Sequence, residues 1–211
     1  IMKRKKAQID SAFSKELDKL LKQKGDKLMT IFIQEGPEAL RKRLNATLDN
    51  HWEYIFDYLI FSEDVLKRCV LNFMPFFKQL VAEKGPLALR VVFAIEDTKY
   101  DEVFGKVFDL VGVAEGALYD YVYGHKLGLL QQITAGKAKN LRRELALDAV
   151  KYDGLWQEIL ELLQEAFCNK AYDEKMFDKG IQAFVLMMNS VREHRSLRSY
   201  KAMWTFSKAG E

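Results

Sequence analysis

The chain has 211 residues, about half of them apolar and 30% charged, enough to bury the core of one domain or two small ones. That balance argues against disorder over most of the length, and no apolar run approaches the roughly 20 residues of a membrane span. The net charge of +3 is uneven: residues 1–28 hold nine Lys/Arg against four Asp/Glu, and residues 192–211 hold five against two, which leaves the middle acidic. Basic ends on an acidic body suit nucleic acid, an acidic partner or a membrane surface, as well as plain solvated termini.

The opening "IMKRKKAQID" has a basic head with no apolar stretch behind it, so it is not read as a secretory signal. Residues 1–35 are expected to form a basic N-terminal helix. "EGPEALRKRL" (35–44) then meets its counterpart in "KGPLALRVVF" (84–93). Gly ends a helix cheaply in the left-handed conformation, and Pro fits the first turn of the next. Each "GP" is therefore read as a joint between helices, with Leu40 and Leu89 inward and Arg41 and Arg90 beside them. The short apolar runs "MTIFI" (29–33) and "RVVFAI" (90–95) resemble strands but sit inside longer helical patterns, and are assigned to helix.

An apolar face led by an aromatic residue follows each joint. Trp52, Ile55, Phe56, Leu59 and Ile60 fall at helical spacing, as do Tyr100, Val103, Phe104, Val107 and Phe108, and again Tyr152, Leu155, Trp156, Ile159 and Leu160. "KYD" occurs at 99–101 and 151–153. A third joint, "AGKAKNLRREL" (135–145), keeps Gly136, Leu141 and Arg142 but lacks the proline. The period is about 50, with units near 36–84, 85–135 and 136–179 and a C-terminal segment at 180–211, where a fragment of a fourth unit is expected to start at Gly180 of "KGIQAFVLMM". The expected fold is all-α, a helical repeat (α-solenoid) or multi-helix bundle of about 9–11 helices in a single domain over 1–211. In period and helix pattern it resembles the broad HEAT and armadillo class, which implies units that stack to bury their apolar stripes.

Residues 92–130 resemble the tetracycline-repressor type of helix-turn-helix. "VGVAEGALYDYV" (111–122) matches that family's A-G-V-S-x-G-x-L-Y-x-Y-F at Gly112, Val113, Gly116, Leu118, Tyr119 and Tyr121. The resemblance implies a DNA-binding regulator using residues 101–126, with Ala114, Glu115, Ala117, Tyr119, Tyr121 and Lys126 facing DNA.

No catalytic constellation stands out. His51, His125 and His194 have no metal-ligand spacing, and no nucleophile elbow, phosphate loop or dinucleotide loop is present. Cys69 and Cys168 are far apart and are read as reduced thiols of an intracellular protein, cytoplasmic or nuclear. No catalytic residue, metal site or cofactor is assigned.

Arginine and tyrosine patterns are the remaining surface signal. Arg41, Arg90 and Arg142 recur at the same place in each unit. With Arg143, Tyr119, Tyr121, Lys126, Arg195 and Arg198 they form the candidate binding set, and Tyr123 adds a third hydroxyl on the same segment. The alternative for each arginine is a structural pair with a nearby Asp or Glu. The expected function is a non-enzymatic scaffold that binds another macromolecule, protein first and nucleic acid second.

Overall fold

The computed structural model describes residues 11–44 and 49–173, with side chains placed over 15–44 and 51–166. Among these residues the fold is all-α: ten α-helices, two 3-10 turns and one π-helical turn. They fall into two compact units, one within Ile1–Val81 and Ala88–Ala117, the other within Ala82–Leu87 and Leu118–Glu211. Arg195, Arg198, His194 and the "KGIQAFVLMM" segment lie outside the described residues.

In the first unit, α1 (Ser11–Glu35) buries Leu17, Leu21, Leu28, Met29 and Phe32 along one face. "MTIFI" belongs to this helix, so its helical assignment holds. Gly36, at φ +89°, ends α1, and Pro37 opens α2 (Pro37–Arg43) as expected. α3 (Asp49–Phe61) and α4 (Glu63–Asn72) both pack on α1. The α1–α4 crossing is close because Gly25 has no side chain: a Cβ there would come within 3.0 Å of Val65 Cγ2. Arg68 of α4 fixes the crossing by gripping both carboxylate oxygens of Asp26, at 2.9 and 3.0 Å. α5 (Met74–Lys84) contributes Phe77, fully buried and stacked on Phe93 at 5.0 Å between ring centroids.

The second "GP" differs from the first. Gly85 takes φ +85°, but α6 (Ala88–Val92) starts two residues after Pro86, so the proline precedes the helix instead of opening it. "RVVFAI" is only half helical: α6 stops at Val92, and Ala94 turns the chain at φ +50°. A 3-10 turn (Thr98–Tyr100) leads into α7 (Asp101–Phe108), whose Val103, Phe104, Val107 and Phe108 are buried, as is Tyr100 before them. The helix then widens into the π-helical turn Asp109–Val113. Gly112 belongs to that turn and is filled by its neighbour: a Cβ would lie 2.6 Å from the Phe108 ring.

The second unit carries most of α8 (Ala117–Thr134), then α9 (Ala138–Glu144), a 3-10 turn (Val150–Tyr152) and α10 (Asp153–Asp173). Gly136, at φ +76°, ends α8 with the bond pair of a left-handed helix stop: its N–H reaches the Ile133 carbonyl and that of Lys137 reaches the Gln132 carbonyl, both at 2.9 Å. Leu40, Leu89 and Leu141, the residues expected to point inward after each joint, are all fully buried.

Candidate binding surface

The arginines at the joints hold turns together. Arg90 donates to Asp101 at 2.8 Å and to the Ile95 carbonyl at 3.3 Å, with its guanidinium 4.1 Å from the centre of the Phe104 ring. Arg142 donates to Asp153 and, at 2.7 Å, to the Leu147 carbonyl. The sequence separations are the same in both places, 11 to the aspartate and 5 to the carbonyl. Both guanidiniums are largely covered, with side chains 22% and 25% exposed. Their donors thus serve the turn, which is the structural pairing the sequence left open. Arg41 is half-buried and is itself engaged. Arg143 is exposed and lies 3.6 Å from Asp148.

The tyrosines of α8 divide between two sides. Tyr121 is turned inward within the second unit: its ring stacks on His125 at 4.3 Å and closes over Gly85, where a Cβ would meet it at 3.2 Å. Burial, and then the charge of Glu144, raise its pKa. His125 Nδ1 donates to the Tyr121 carbonyl at 2.9 Å, which fixes the ring against the helix. Tyr119 donates its phenol to Glu158 of α10, and burial together with that bond pushes its pKa up to about 12.

The outward side is richer in contact chemistry. Tyr123 is 63% exposed, and Lys126 lies 4.6 Å from the centre of its ring. Leu127, one turn after Tyr123, is 47% exposed. Residues three and four apart share a helix face, so Tyr123, Lys126 and Leu127 form one aromatic, cationic and aliphatic patch. Of the expected binding set, α8 thus presents Lys126 outward, braces Tyr119 and packs Tyr121. Leu127 was missed because an exposed leucine in an apolar helix reads like a core residue until burial is known.

Residues 101–126 do run helix, turn, helix, with Gly116 at φ +72° before α8. Two positions implied to face DNA are otherwise occupied. Ala117 is fully buried, and Glu115 pairs with Lys78 at 3.5 Å.

Elsewhere the polar chemistry serves packing. Tyr100 is buried and donates to Asp57 at 2.6 Å; burial first, and then this carboxylate, raise its pKa well above the usual phenol range. Cys69 is a buried free thiol whose pKa burial pushes up to about 12, so it stays protonated at neutral pH. Among the described residues no group of three or more His, Cys, Asp or Glu is placed to hold a metal ion, and no helix is long and apolar enough to cross a membrane. Compared with known proteins, the chain matches no family model, no curated protein and no solved structure.

Proposed function

We propose that the chain is a non-enzymatic, repeat-built helical scaffold that binds another protein through the outward side of α8. The observation that carries this reading is the patch of Tyr123, Lys126 and Leu127, two large exposed side chains with a cation held over the aromatic ring. Binding hot spots favour this chemistry, because a tyrosine offers a large, stiff, amphipathic surface at low entropic cost. Tyr119, braced by Glu158, supports the same helix from within its unit. The arginine turns contribute rigidity: a preformed surface loses less entropy on association.

The test is a photo-crosslinking residue placed at position 123 of the full chain in its native cell, with Glu53, exposed on α3, as the control position. A discrete protein adduct at 123 is expected, absent at 53 and lost when Leu127→Asp is added. Equal labelling at the two positions, or an adduct that survives Leu127→Asp, removes the reading.

A second reading is a duplex-DNA regulator using residues 101–126. The left-handed Gly116 turn before α8 favours it, and buried Ala117 and paired Glu115 count against it. Salt-sensitive duplex binding lost on Lys126→Ala supports this reading; binding unchanged by that substitution ends it.

A further inference from the structure

Some cations of the first unit are paired and others are not. Arg43, Arg68, Lys78, Arg90, Lys99 and Lys106 all pair with carboxylates. Among the described residues Lys15, Lys19 and Lys22 of α1, like Lys24, Lys27, Lys42 and Lys67, have no such pair, and the first three stand together along a groove of about 380 Å³ that Asp18 and Gln23 also line. Their spacing of four and then three residues puts them on one helix face. At about 1.5 Å per residue the row runs for roughly 10 Å. One acid, Asp18, lines the groove with the three lysines, and its Oδ1 is sealed from solvent without a hydrogen-bond partner among the described residues. The groove also lies within residues 1–28, the most basic stretch of the sequence.

We propose that this groove holds the phosphate backbone of a nucleic acid strand, with Lys15, Lys19 and Lys22 each neutralising a phosphate and Gln23 donating an amide hydrogen bond. Charge complementarity selects a polyanion. A row of cations along one helix face matches the regularly spaced charges of a strand. Among the described residues no large apolar side chain stands exposed on α1 to insert among lipids. No aromatic side chain is among the described residues that line the groove, so they offer phosphate contacts and no base stacking. This groove is on another helix than the α8 patch, and the inference stands whether or not that patch binds a protein.

The experiment is fluorescence anisotropy of the full chain with a labelled oligothymidylate of roughly 20 nucleotides, titrated from about 50 to about 200 mM salt. Three phosphate contacts on a single strand give a slope of log K on log salt of about −2. The triple variant K15Q/K19Q/K22Q is expected to bind at least about tenfold more weakly with a slope near zero, and K15R/K19R/K22R to bind like the parent, with circular dichroism confirming that both fold. Parallel arms use phosphatidylserine vesicles and a polyglutamate peptide at matched salt. Absence of oligonucleotide binding overturns the proposal. So does binding that the glutamine variant retains, or tighter capture of the vesicles or the peptide than of the oligonucleotide.

Discussion

The turn after Leu89 and the turn after Leu141 are built to one plan from partly different residues. In both, an alanine in the left-handed region follows two residues after the short helix, Ala94 at φ +50° and Ala146 at φ +58°. In both, the next residue's N–H returns to the arginine's carbonyl, Ile95 to Arg90 at 2.9 Å and Leu147 to Arg142 at 3.0 Å. The arginine side chain answers by donating to that same residue's carbonyl and to the aspartate opening the next helix. A 3-10 turn delivers a buried tyrosine, Tyr100 or Tyr152, with a lysine over its ring at 4.7 or 4.6 Å. The differences lie in what supports this frame. The first turn has a capping aspartate, Asp97, which accepts from the Lys99 N–H at 2.9 Å, and an aromatic ring beneath Arg90. The second has Ala149 at the cap position with no side-chain bond, and a shorter arginine–carbonyl contact, 2.7 against 3.3 Å. The frame common to both turns is therefore the Leu-Arg pair, the left-handed alanine and the Lys-Tyr-Asp run, while the cap residue and the support beneath the arginine differ.

Removing the arginine is the largest expected break. Arg90→Ala and Arg142→Ala each strip a carbonyl of its donor and an aspartate of its partner, and each should cost about 2 kcal/mol, the scale of charge-assisted hydrogen bonds discounted for the exposed aspartates. Urea unfolding measures the loss. Faster hydrogen exchange at the Ile95 or Leu147 amide locates it in the correct turn. A double-mutant cycle then isolates the ring contact of the first turn: Arg90→Ala with Phe104→Leu should show a coupling of about 0.5–1 kcal/mol. Costs below about 0.5 kcal/mol would mean that the arginines are not what holds the turns.

Much of this frame was legible in the sequence, and some was not for identifiable reasons. The recurrence of Leu-Arg and of "KYD" marked both turns, and the aromatic-led faces at helical spacing became the buried faces of α7 and α10. The arginines' partners were not assigned, because a separation of 11 residues is bridged only once the left-handed alanine folds the chain back. No propensity rule puts alanine there, since the position normally favours glycine. The α8 patch was half visible: its tyrosines stand out in the text, but which of them faces solvent depends on how the helix is turned. The lysines of α1 were seen as bulk charge and not as a groove, because charge counts carry no shape.

Tyr100 gives the first turn an alkaline weakness. Its folded pKa lies above the ordinary phenol value of about 10, so the unfolded chain gives up the proton first. The stability this group supplies is complete below about pH 10 and is lost as pH rises beyond that value. Tyr100→Phe should lower stability at pH 8 by about 1 kcal/mol, the worth of its bond to Asp57, and should flatten the fall above pH 10. Unfolding midpoints measured from pH 8 to about pH 11 check both statements, and an unchanged slope would assign the alkaline loss elsewhere.

The missing cap can be exchanged between the turns. Asp97→Ala should destabilise the first by about 0.5–1 kcal/mol, and Ala149→Asp should stabilise the second by a similar or smaller amount. Opposite shifts in the unfolding midpoint show that the turns are equivalent. Shifts of the same sign would show that the 3-10 segment of the second turn does not accept the first turn's cap.

The smallest expected effect concerns the alanines themselves. A non-glycine residue at φ +50° or +58° sits in a region that costs an L-residue about 1–2 kcal/mol, and glycine removes that cost. Glycine also loses more freedom on folding, which offsets about 0.5–1 kcal/mol of the relief. Ala94→Gly and Ala146→Gly should therefore each stabilise by a few tenths to about 1 kcal/mol, and by nearly equal amounts, because the two backbones are bent alike. Thermal melts of the two single variants and the double check this, and the two gains should add, since the sites share no residue. A gain at one alanine and a loss at the other would show that the same backbone angle is held for different reasons in the two turns.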